Sequence, residues 1–131
     1  MNTDIIYAAS AIGALLSFLI AMFQFMLVLG FPYAELSWGG KYKVLPKNLR
    51  IAGVFAMIIL VFIGFLYLIS SKILPDFIPL NISKIIMWIV TAFLLFNTVG
   101  NLASKSKFEK LIMTPISFIM FLCGLIISLF G

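Results

Sequence analysis

Four long runs of apolar residues, separated by short polar breaks, constrain this chain more than any other feature. They extend over about Ile5 to Leu29, Leu49 to Ser70, Ile82 to Ala103 and Glu109 to Phe130. At about 1.5 Å of rise per residue, roughly 20 helical residues cross a hydrocarbon core of about 30 Å, and each run is that long. In lipid, a segment satisfies its own backbone N–H and C=O groups by forming a helix, whereas an open strand leaves them bare. The expected fold is therefore all-α: one domain over residues 1–131, a bundle of four transmembrane helices, with loops at about 30–48 and 104–108 on one side. The first run has no basic segment before it and exceeds the roughly 7 to 15 apolar residues of a signal peptide, so it is expected to be a retained span.

Composition supports this reading. Hydrophobic residues make up 64% of the chain and charged ones 10%, an apolar surplus that a soluble interior of this size cannot hide. Left in water, it would form large sticky patches.

Local punctuation sets the helix limits. Gly30-Phe31-Pro32 ends the first run, Pro75 and Pro79 mark the turn after the second, and Asn81 or Ser83 is the expected N-cap of the third. Pro115 inside the fourth run predicts either a start near Thr114 after an interfacial turn, or a kink.

Charge sets the expected orientation. Lys41, Lys43, Lys47 and Arg50 flank the first loop and Lys105, Lys107 and Lys110 the third, whereas the opposite side has only Lys72 and Lys84. Short cytoplasmic loops are enriched in Lys and Arg, so both termini are expected outside and these two loops inside, touching anionic headgroups. Tyr7, Tyr67 and Trp88 at outer ends, and Tyr33, Trp38 and Tyr42 at the inner interface, would form aromatic belts. The basic residues form no aromatic-interleaved platform, which argues against nucleic acid as a partner.

Several chemistries are disfavoured. The chain has no His and a single cysteine, Cys123; paired-thiol redox chemistry is excluded, and no metal site, cofactor or catalytic residue is expected. General acid–base catalysis would fall to Glu35 and Glu109, on separate segments without a recognisable partner spacing.

The informative polar groups lie within the spans. Gln24 sits on the inner side of the first helix, Asn97 and Asn101 share a face of the third, and Thr114 and Ser117 occupy the inner half of the fourth. Amides at such depth either join helices, at about 0.6 to 2 kcal/mol per bond, or contact a ligand. The two hydroxyls could instead bond to their own preceding turn. If the groups converge, they form a polar pocket open toward the cytoplasm or inner leaflet, beneath an apolar plug. The first loop, with Trp38 and Gly39-Gly40, is too apolar for a free loop and reads as an interfacial or partly re-entrant segment packed over the mouth of the bundle. Its lone acid, Glu35, is expected either to pair with Lys41, Lys43 or Arg50 or to contact a ligand beneath the pocket.

The stretches Gly30-Phe31-Pro32-Tyr33, Trp38-Gly39-Gly40-Lys41-Tyr42-Lys43-Val44-Leu45-Pro46, Asn101-Leu102-Ala103-Ser104-Lys105-Ser106-Lys107 and Met113-Thr114-Pro115 resemble a group of small four-helix bacterial membrane proteins without an assigned activity. The resemblance implies the plasma (inner) membrane of a bacterium and lends no chemistry. The residues themselves lead to a non-catalytic protein that binds a lipid, a small amphiphile or a partner helix through Gln24, Glu35, Trp38, Asn97, Asn101 and Thr114. The alternatives are a small transporter working as a homo-oligomer and a lipid-modifying enzyme.

Overall fold

The computed structural model describes residues 3–38 and 41–131, so the expected Gly39-Gly40 turn lies outside the described residues. Four helices carry the fold: α1 (Thr3–Val28), α2 (Lys47–Ser70), α3 (Leu80–Leu102) and α4 (Thr114–Phe130). A 3-10 turn, Ala34–Leu36, interrupts the first loop, and a π turn, Glu109–Met113, runs directly into α4. With its π turn, the last segment is long and apolar enough to cross a membrane, as are the other three.

Each helix end has a local cause. After α1, Gly30 adopts a φ of 99°, its N–H bonds to Leu27 O (3.0 Å) and Phe31 N–H to Met26 O (3.2 Å), so the last carbonyls are satisfied in a left-handed turn that glycine enters without strain. The start of α3 differs from expectation. Pro79, extended at φ −52° and ψ 139°, precedes Leu80 without any side-chain cap, because its fixed ring already gives the pre-helical backbone. Asn81 and Ser83 are then inside the helix, and Ser83 Oγ donates back to Leu80 O at 3.0 Å. Pro115 lies in the first turn of α4, where its missing N–H matters little, and the wider π turn ahead of it makes room for the ring.

The helices form a ring in chain order. Contact is densest between α1 and α2 and between α3 and α4, substantial between α1 and α4, and thinnest between the neighbours α2 and α3. Both the α1–α2 and α3–α4 loops therefore sit at one end, here the basic end; the termini and the α2–α3 loop form the other, the terminal end.

Burial is arranged as lipid demands. Large apolar side chains such as Phe55, Ile89 and Phe96 point outward, the last 74% exposed. Small and hydroxyl residues turn inward: Ala9, Gly13, Ser17 and Ala21 recur every fourth residue along the buried face of α1, which lets backbones approach closely. Ser17 Oγ donates to the Leu60 carbonyl of α2. With an apolar exterior and four helices of spanning length, the chain is a multi-pass integral membrane protein.

Tyr67 corrects the aromatic-belt expectation. It is fully buried, its hydroxyl donates to the Met120 carbonyl of α4, and its ring lies against Gly13, where a Cβ would come within 2.7 Å of the ring carbons. Glycine on the facing helix opens the space, and the carbonyl satisfies the phenol that burial would otherwise strand. Around it Leu66, Met87, Leu94, Met120 and Cys123 form the main core. Tyr7, Tyr33 and Trp88 remain on the exterior as a belt requires.

Candidate functional site

The first loop folds over the basic end instead of hanging free. Ala34 and Leu45 are fully buried with Leu27 in a small core of their own, flanked by Trp38 and Tyr42, and Ala34 N–H bonds to Lys43 O at 3.0 Å, joining the loop's two arms. Arg50 donates through Nε to Leu45 O at 2.9 Å, so this cation braces the loop. The third loop is tied to the first, since Ser106 Oγ donates to Glu35 O at 2.7 Å.

Above this cover lies a cavity of about 210 Å³. Its polar lining comes from three helices and the first loop: Gln24 of α1, Ser37 of the first loop, Asn97 and Asn101 of α3, and Ser117 of α4. Apolar side chains of α2, Ala56, Ile59 and Leu60, complete the wall. Ile59 and Phe93 both line the cavity and are about half exposed, at 52% each. They belong to the two neighbours that pack least tightly, so the mouth is lateral, between α2 and α3, facing the acyl chains. Leu94 and Met120 close the top, followed by the solid core around Tyr67.

The polar groups form two separate nodes. In the first, Gln24, 6% exposed, donates through Nε2 to Ser37 Oγ (3.3 Å) and accepts from Trp38 Nε1 at its Oε1 (3.3 Å). Trp38 holds that position with a φ of 55°, a backbone conformation that bulky residues adopt only when their surroundings impose it. In the second node one hydroxyl serves two amides: Ser117 Oγ accepts from Asn101 Nδ2 at 2.7 Å and Asn97 Nδ2 at 3.3 Å, and Asn101 Nδ2 also approaches Met113 O at 3.4 Å. Each amide carries an acceptor besides its donors. Among the described residues, neither Asn97 Oδ1 nor Asn101 Oδ1 has a partner.

The structure thus unites Gln24, Asn97 and Asn101, places Trp38 behind Gln24, and separates two expected members. Glu35 does not line the cavity; its side chain is exposed, and the ion pair expected with Lys41, Lys43 or Arg50 does not form, the pair among the described residues being Lys72–Asp76. The 3-10 turn directs its carbonyl, and not its carboxylate, toward the third loop. Thr114 is likewise absent from the lining, and its buried Oγ1 has no partner. At about 100° per residue, Met120 and Ile116, which line the cavity, stand about 60° and 100° to one side of Ser117, whereas Thr114 stands about 60° to the other. Neither Thr114 nor Ser117 bonds to its own preceding turn.

Sequence reasoning missed Ser37 and undervalued Ser117. For Ser117 a signal existed, because Asn97 and Asn101 one turn apart call for a shared partner on the adjacent helix; Ser37 sits in an irregular loop and offered none. Glu109 is buried at the base of α4, and its N–H bonds to Ser106 Oγ at 3.3 Å. Among the described residues no cluster of His, Cys, Asp and Glu has the makings of a metal site. Lys41, Lys43, Lys47, Lys105, Lys107 and Lys110 stand exposed around the basic end. Neither a family model, nor a curated protein, nor a solved structure matches this chain.

Proposed function

We propose that this membrane protein is a non-catalytic binder that holds a lipid or a small amphiphile in the amide-lined cavity of its basic half. The observation that carries the reading is a void lined by the amides Gln24, Asn97 and Asn101, the last two of which keep a side-chain oxygen without a protein partner among the described residues. Such oxygens accept from a hydroxyl or amide N–H, and the apolar wall of α2 suits the hydrocarbon part of the same molecule. A partner helix fits poorly, since a helix with its side chains is about 10 to 12 Å across. The charge asymmetry supports a cytoplasmic position for this half, with the exposed lysines against anionic headgroups. The resemblance noted in the sequence favours a bacterial plasma membrane.

The test is native mass spectrometry and lipidomics of protein extracted from its membrane, with Asn97→Leu and the cavity-filling Ala56→Phe beside wild type. A co-purifying species present in wild type and lost from both variants is the expected result. The same species retained in both would overturn the proposal.

A further inference from the structure

The terminal end carries a second recess that the first site does not use. It is a cleft of about 220 Å³ between the start of α1, the end of α2, the start of α3 and Gly131 after α4. Its lining includes Lys72 and Lys84, the only two basic side chains that the sequence places at this end. Lysine is depleted on that side of a membrane protein oriented by its basic loops, so two that meet in one cleft require a local reason.

Three further observations point the same way. Ser70, 9% exposed, lines this cleft and the small recess adjoining it, and its buried Oγ has no hydrogen-bond partner. Neighbouring Ser71, by contrast, is occupied, donating to Ser10 Oγ at 2.8 Å. Lys72 holds a φ of 70° just past the end of α2, a place where glycine or asparagine is usual. Finally, α3 opens onto the cleft at Leu80 without a side-chain cap, leaving the positive end of its dipole available. Asp76 offsets one cation, lying 2.9 Å from Lys72 Nζ; Lys84 has no ion pair among the described residues.

We propose that this cleft binds a phosphate-type oxyanion, with the Lys84 ammonium supplying charge and the Ser70 hydroxyl donating a hydrogen bond from within. Lys72 completes the rim. The oxyanion belongs either to a lipid headgroup or to a soluble phosphate. The site is independent of the amide cavity and stands or falls separately.

The experiment uses full-length protein in phosphatidylcholine nanodiscs, wild type beside Lys84→Gln and Ser70→Ala, each checked for an unchanged unfolding temperature. In one arm the discs are doped with phosphatidylglycerol and the anionic lipid retained per protein is counted by native mass spectrometry. In the other, inorganic phosphate is titrated calorimetrically. A charge-assisted contact of this kind changes affinity by roughly tenfold. Loss of about that size in both variants, for the lipid or for phosphate, supports the site and identifies the source. Loss in Lys84→Gln with full retention in Ser70→Ala means only surface charge, because Ser70→Ala leaves the charge untouched, and overturns the proposal. Binding of neither probe by wild type overturns it too.

Discussion

The interior of the bundle changes character along its axis. Around Tyr67 it is solid: Gly13 of α1 admits the ring, its hydroxyl crosses to Met120 O, and Met87 and Cys123 fill the remaining space. About two to three turns along α2 toward the basic end, the same four helices enclose a void edged with amides. The difference follows from the seam between α2 and α3, where contact is thin. In the solid half the bulk of Tyr67 bridges from α2 to α4; in the hollow half, Ala56 and the amides of α3 are too short to bridge.

This contrast predicts unequal responses to mutation. The largest effect is expected for Tyr67→Ala, which removes a buried aromatic and its cross-helix hydrogen bond and should cost about 3 to 5 kcal/mol in reversible unfolding from mixed micelles. Next, Gly13→Ala places a methyl group within 2.7 Å of the Tyr67 ring and should cost about 1 to 3 kcal/mol by the same measurement. A much larger side chain in the hollow half, Ala56→Phe, should cost less than about 1 kcal/mol because space is already there; a penalty as large as that of Gly13→Ala would show that the cavity closes in the membrane. The smallest effect is expected for Trp38→Phe, which deletes the indole donor to Gln24 Oε1 and should cost about 1 kcal/mol or less. Its readout is faster hydrogen exchange of the first loop, with α2 unaffected.

The two regions were also unequally legible. Number, type and approximate limits of the helices followed from run length and punctuation, since lipid leaves a 20-residue apolar segment no other form. Depth alone picked out Gln24, Asn97 and Asn101, because an amide inside a span is conspicuous wherever it points. What depth cannot supply is azimuth. Tyr67 lies near a helix end, as a belt residue would, and only the glycine on the facing helix reveals that it points inward. Thr114 and Ser117 have similar depth and chemistry, yet only one reaches the void. Glu35 was misassigned for another reason: in a 3-10 turn the backbone decides whether the carboxylate or the carbonyl meets the neighbouring loop, and the sequence carries no marker for that choice.

Cys123 is the only thiol in the chain and is buried beside Tyr67 in the densely filled half. It is therefore a native gauge of breathing. A membrane-permeant maleimide reaches it only when helices part, so its alkylation rate counts those openings without any introduced label. Compared with the rate at a cysteine placed at Ala56, it would report how much more often one end of the molecule loosens than the other.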